Sequence, residues 1–289
     1  MENKFKAHND SVQNIDASKD GKYLLSASFD ETMCLWEIKD LKKVWEIKGN
    51  FMSCETVKFS NKGSLIASGG GGVYLWDPIT LKELANLRGH SNWIFSLDFS
   101  KCDKYLATGS MDNNIIIWNL ETHNQERVLM GHFNSLYDVY FSQDNKYLIS
   151  SSRDNSIIVW NWKIGEKIKV LNIHDEWVYR SLTSVKHNSL ISASKDGLIK
   201  KTRLDTLDKS ENLFLHSKAI MALALSPNQD YFISGDREGK IGIWEVATSE
   251  LINYTNIKES GEIMGLIFLT DNEFYAGTTN GHIYKYAIN

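Results

Sequence analysis

The chain has 289 residues, 42% of them hydrophobic and 24% charged, with a formal net charge of −4. This supports a large apolar core and excludes a general basic field for nucleic acid or an anionic membrane. Three cysteines (Cys34, Cys54, Cys102) are an odd number without metal-ligand spacing, so we expect a reducing compartment, no disulfide framework, no metal and no cofactor.

The N-terminal MENKFKAHND lacks the apolar core of a signal peptide, and no window reaches the roughly 18 apolar residues of a membrane span. Membrane insertion is not expected; the cytoplasm is, with the nucleus as the alternative. Two prolines and no Gly/Ser-rich linker leave no boundary, so residues 1–289 are read as one domain.

The predicted elements begin with a strand, NKFKAH, which leads into a repeated unit. The first copy carries His8, Ser26, Asp30 and Trp36. The second is two residues shorter, has Asn50 in place of His, and reads SGGGGVYLWD where a longer turn belongs. The third carries His90, Thr108, Asp112 and Trp118, and the fourth His132, Ser150, Asp154 and Trp160, each in step by 42. The fifth (His174, Ser192, Asp196) has Thr202 for Trp. The sixth (His216, Ser234, Trp244) has Glu238 at the Asp position. The seventh has Lys258, Ala276, Asn280 and Tyr286.

Ser150, His132 and Asp154 invite a catalytic reading, as nucleophile, base and orienter. Their recurrence at a fixed step argues for a structural device instead, because a catalytic triad occurs once. Within the fourth unit, LYDVYFS, YLISSS, SIIVWNW and EKIKVL alternate apolar and polar residues between the turns QDNK and RDN. Period-2 patterning and β-branched residues predict four short antiparallel strands per unit. Seven such sheets suggest radial packing, which leaves only short edges.

GH…LISSSRDNSIIVWN and GH…LATGSMDNNIIIWN resemble the WD-repeat family over essentially the whole chain. The resemblance implies an all-β, seven-bladed β-propeller of four-stranded antiparallel blades, its ring closed by the N-terminal strand. It also implies hydrogen-bonded tetrads, complete in the first, third and fourth units: His8/Ser26/Asp30/Trp36, His90/Thr108/Asp112/Trp118 and His132/Ser150/Asp154/Trp160.

In that family the narrower top face carries many partner sites, built from residues flanking each first strand and the residue before the turn Asp. Here those positions are Phe29, Trp93, Phe95, Met111, Tyr137, Arg153, Trp177, Tyr179, Lys195, Met221, Arg237 and Met264. Aromatic, Met and Arg residues converging on one face suit a protein partner; plugging the channel or packing between blades is the alternative. Arg153, Lys195 and Arg237, with Arg180 nearby, form a basic arc suited to an acidic or phosphorylated peptide, although Glu55, Asp175 and Glu176 dilute it.

Lys195, Lys200, Lys201 and Arg203 in SKDGLIKKTRLD read as a solvated sheet edge, or as a lateral RNA-contacting patch. SGGGGV lacks the Gly-Lys-Ser/Thr ending of a phosphate loop. His123, His187 and His282 are isolated. Trp45 and Trp162 are expected along outer strands, and Cys34 as an inert buried thiol. The leading expectation is a non-catalytic scaffold or adaptor within a multiprotein complex, binding a protein or linear peptide. A propeller enzyme and an RNA-binding module are the alternatives, and nucleic acid is not expected.

Overall fold

A computed structural model of the protein describes residues 3–48, 53–257 and 261–288. Asn50 and Lys258 lie outside the described residues. Among those residues there are 28 strands and no helix. The first, β1 (Asn3–Lys6), stands apart from the repeat. Blade 1 then runs β2 (Val12–Ala17), β3 (Tyr23–Ser28), β4 (Thr32–Glu37) and β5 (Lys42–Lys48) as one antiparallel meander. Five more blades repeat this order. The seventh is completed from the other end of the chain. Its strands β26 (Ile263–Phe268), β27 (Glu273–Thr278) and β28 (His282–Ala287) take β1 as the outer partner, with Phe5 opposite Ile283. The ring is thereby closed.

Sequence periodicity follows from this packing. Each blade is covered on both faces by its neighbours, so third strands read as continuous apolar runs: Ile115, Ile116, Ile117 and Trp118 are all buried. Outer strands reach solvent, and Glu166–Val170 are all exposed. Among the described residues the core is divided into seven apolar clusters, one at each junction of blades. One joins Ala107, Ile115 and Ile117 of blade 3 to Leu136, Val139 and Trp160 of blade 4. The closing junction joins Ile283 and Tyr275 to Val12, Leu24 and Trp36. Each fully buried aliphatic side chain contributes about 1.5–3 kcal/mol. The four fully buried tryptophans, Trp76, Trp118, Trp160 and Trp244, are the largest single contributors.

Trp162 departs from expectation. It follows the third strand of blade 4 and is buried between Tyr105 and Phe141, with ring centroids 5.2 Å from each. Trp45 does lie on an outer strand, edge-on to Trp76. The basic stretch is corrected as well. Its strand Ile199–Arg203 is paired on both sides, so it is not a sheet edge.

Two local devices shape the channel end of the blades. In six blades the residue after the turn Asp, Glu or Asn adopts left-handed backbone: Glu31, Asn113, Asn155, Gly197, Gly239 and Gly281 have φ between 68° and 80°. Asn and Gly tolerate this region, which explains the D-N and D-G turns. The shortened turn of blade 2 depends on Gly70 for another reason: a Cβ there would meet the Ser53 carbonyl oxygen at 2.1 Å. In each inner strand the register also slips by one residue at the same place. Such a bulge leaves one residue unpaired and re-aims its side chain.

Candidate functional site

The polar quartets are stabilising networks inside single blades. In blade 4 the Trp160 indole N–H donates to Ser150 Oγ at 2.8 Å, Ser150 lies 2.8 Å from His132 Nε2, and His132 Nδ1 lies 2.9 Å from Asp154. The Asp154 carboxylate can only accept, which places the imidazole proton on Nδ1; Nε2 then accepts from Ser150, whose oxygen accepts from Trp160. Blade 3 matches with Trp118, Thr108, His90 and Asp112, each contact 2.8 Å. In blade 1, Trp36, Ser26 and His8 repeat the chain, and His8 Nδ1 is shared between Thr32 Oγ1 at 2.8 Å and Asp30 at 3.2 Å. Burial alone would raise these carboxyls. Hydrogen bonds from His, Thr or Ser, and backbone N–H outweigh it and hold Asp30, Asp112 and Asp154 below the ordinary range.

Blade 6 requires a correction. Glu238 is not the partner of His216. Asp236, fully buried, takes that role at 2.7 Å, and Ser234 and Trp244 complete the quartet. Blade 5 keeps His174, Ser192 and Asp196, while Thr202 turns to Ser210 at 2.8 Å. Blade 2 retains the Trp76–Ser68 bond at 2.9 Å. In blade 7 Thr278 donates to Asn280 at 2.6 Å.

A different set of residues converges at one mouth of the central channel. The seven bulge residues, one per blade, are Gln13, Glu55, Phe95, Tyr137, Tyr179, Met221 and Met264. Together with Phe29 and Arg180 they line a cavity of about 140 Å³. Six of the twelve top-face residues named from the sequence are thus in one place: Phe29, Phe95, Tyr137, Tyr179, Met221 and Met264. Their rings form a band, with centroids 5.6 Å apart for Phe95 and Tyr137, and 4.8 Å for Tyr137 and Tyr179.

Trp177 extends the band, its centroid 6.1 Å from Tyr137. It is not an open face, because the Arg153 guanidinium lies 4.1 Å and the Lys195 ammonium 4.2 Å from its ring centre. A backbone hydrogen bond explains part of this placement. The residue before each turn carboxylate donates to the loop ahead of the inner strand, as Lys195 N–H does to Trp177 and Met111 N–H to Trp93. Trp93 and Met111 therefore sit side by side on blade 3, outside the cavity lining.

The basic arc is largely neutralised within the chain. Lys195 pairs with Glu176 at 3.2 Å, Arg237 with Glu262 at 3.3 Å, and Arg180 with Asp138 at 3.8 Å. Among the described residues Arg153 has no carboxylate partner. The lateral cations are also engaged: Lys200 with the Ile173 carbonyl, Lys201 with Glu211 and Arg203 with Asp205.

Two ring members are not read as such from the sequence: Gln13 goes unnamed there, and Glu55 counts only as a charge that dilutes the basic arc. They occupy the repeat position of Phe95 in the first two units, so counting back from Phe95 finds them. Deeper in the channel lie carboxylates the reading also missed. Asp16 accepts from Phe59 N–H at 2.8 Å, Asp98 from Phe141 N–H at 2.8 Å, and Asp138 from Ser181 N–H at 3.0 Å. Each ties one blade to the backbone of the next. Lys58 bonds Asp98 at 3.1 Å. Among the described residues no cluster of His, Cys, Asp and Glu has metal-holding geometry, and the three cysteines are free thiols.

The sequence profile of the WD domain, G-beta repeat, matches residues 2–37, 81–119, 123–161 and 209–245. Among curated proteins, the chain is similar to the Lissencephaly-1 homolog of Caenorhabditis briggsae, 28% identical over 107 residues, covering 36% of this chain and 27% of that protein. It is 32% identical over 111 residues to Autophagy-related protein 16 of Arabidopsis thaliana, covering 37% of this chain and 21% of that one. A probable cytosolic iron-sulfur protein assembly protein 1 of Mycosarcoma maydis is likewise 32% identical over 111 residues, covering 38% and 22%. The matched stretch thus spans about a quarter of each relative's length. With its repeat profile matched over more than half of its length, and its blades arranged as that repeat requires, the chain belongs to the WD-repeat family.

Proposed function

We propose that this propeller is a non-catalytic protein-interaction scaffold that binds a segment of a partner protein at the aromatic mouth of its channel, within a multiprotein complex. One observation carries the reading: all seven blades, through the same bulge, aim a side chain at one cavity, and five of those seven are aromatic or Met. Such residues dominate protein-binding hot spots because they offer large apolar contact at low entropic cost. Arg153, stacked on Trp177, is the place for an acidic or phosphorylated residue flanking that segment. The cytoplasm, or else the nucleus, is the proposed setting. The alternative of chemistry in the channel is less well supported, because Asp16, Asp98 and Asp138 already accept backbone hydrogen bonds from the next blade.

The test is affinity capture followed by mass spectrometry with wild type, Tyr137→Ala, Trp177→Ala and Arg153→Glu. Loss of a shared set of partners from the variants is expected. Retention of every partner by all three would overturn the reading.

A further inference from the structure

Glu55 is the odd member of the mouth. It is 7% exposed and sits in a ring that is otherwise neutral. Its Oε1 accepts from Ser53 Oγ at 2.8 Å. Among the described residues it has no cation within ion-pair distance, whereas the rim cations Lys195 and Arg237 have carboxylates of their own.

The groups that face Glu55 do not satisfy it. Arg180, the one cation among the described residues that line the cavity, donates to the Tyr137 carbonyl at 2.5 Å and lies 3.8 Å from Asp138. Gln13 donates its amide to Ser11 at 2.6 Å. Tyr137 and Tyr179 are held protonated by burial, which raises both hydroxyls. Burial likewise pushes the Glu55 carboxyl up to about 7, against the pull of Ser53 and Arg180. A buried carboxylate with spare acceptor capacity is costly until a donor reaches it.

We propose that the mouth receives a cationic side chain of the partner segment, arginine or lysine, which donates N–H bonds to Glu55. This rests on the scaffold reading above. The surroundings suit such a guest. Phe29, Phe95, Tyr137 and Tyr179 line it with aromatic rings, the residue type that attracts a cation, and Met221 and Met264 suit its methylene stem. A cavity of about 140 Å³ admits the end of one side chain, not a folded element. An anionic side chain would meet the Glu55 charge.

The test uses capped pentapeptides identical except for a central arginine, lysine, citrulline or glutamate, with binding to the full chain followed by calorimetry and saturation-transfer NMR. At pH 8 the arginine or lysine peptide should bind at least about tenfold more tightly than the citrulline and glutamate peptides, as a charge-assisted bond requires. Comparing arginine with lysine identifies which cation is preferred. Glu55→Gln should abolish the preference. With wild type alone, affinity for the arginine peptide should fall as the pH drops below about 7 and Glu55 protonates; the peptide's arginine does not titrate there. The last arm stands even if the variant misfolds.

Equal binding of the arginine and citrulline peptides, tighter binding of glutamate, a preference that survives Glu55→Gln in folded protein, or no binding by any peptide would each overturn the inference. Partner capture that is lost with Tyr137→Ala but untouched by Glu55→Gln would overturn it while leaving the scaffold reading standing.

Discussion

Asp236 lies two residues ahead of the turn position where the repeat places its carboxylate, yet its Oδ2 is 2.7 Å from His216 Nδ1. It occupies the place of Ser28, Ser110, Ser152 and Ser194 in other blades. Those serines accept a backbone N–H at the turn, as Ser110 does from Asp112. Asp236 performs both tasks, accepting also from the N–H groups of Glu238 at 2.9 Å and Lys240 at 3.0 Å.

Asp236→Ala should therefore destabilise the protein by about 1.5–3 kcal/mol, the scale of a buried hydrogen bond to a charged group. Glu238→Gln, at an exposed position, should stay within about 0.5 kcal/mol of wild type. Burial raises the Asp236 carboxyl, but His216 and the turn amides outweigh it and hold it below its ordinary 3.8. Its contribution is thus present above about pH 4 and is lost as the pH falls further. Urea titrations at pH 7 and across the acid limb measure both effects; equal stability of the two variants would refute the assignment.

Asp16 runs the other way. Burial pushes its carboxyl up from 3.8 to about 6, against the opposing pull of Lys58 and the Phe59 N–H. A raised folded value means that stability from this group is fully present below the unfolded value and is lost as the pH rises through 6. Asp16→Asn keeps an acceptor for Phe59 and cannot ionise. It should flatten that fall and be more stable than wild type at pH 8, by about 1–3 kcal/mol. A difference between the two proteins that does not change from pH 4 to pH 8 would contradict this.

Glu31 has φ 68° at the position held by Asn113, Asn155, Gly197, Gly239 and Gly281 in other blades. A glutamate gains nothing from left-handed backbone, whereas asparagine tolerates it. Glu31→Asn should raise stability by about 0.5–1 kcal/mol, seen as a higher melting temperature. A lower one would show that Glu31 makes compensating contacts.

Removal of residues 1–7 deletes β1. That strips the ladder from β28, removes Phe5 from its place 5.0 Å from the Trp36 ring centre, and exposes a strand edge. A markedly lower melting temperature and a tendency to associate are expected. An unchanged melting curve would mean that the ring does not need this strand.

Much of this architecture was legible because it is local. Trp160, Ser150, His132 and Asp154 all fall within one unit, so their recurrence marked a structural device, and the resemblance to the WD-repeat family implied their bonding. A residue substituted in place, such as Thr202 for Trp, is visible by counting. Asp236 was not legible, because a carboxylate moved by two residues still reaches His216 once the turn bends back, and spacing alone pointed to Glu238. Trp162 looked like an outer-strand residue until the neighbouring blade supplied Tyr105 to pack against it.

The sequence by itself determined the number of units and the strand pattern, since a repeat of fixed length must present the same faces each time; the resemblance to the WD-repeat family implied the tetrads of blades 1, 3 and 4 and the joining of the two chain ends. Only the tertiary structure decided what the channel holds. Gln13 and Glu55 join the aromatic ring, Asp16 and Asp98 tie blade to blade, and Arg153 of blade 4 lies over Trp177 of blade 5, because these contacts form between units that repeat every 40 or so residues along the chain. Ring closure sets their distances, and no periodicity within a unit records them.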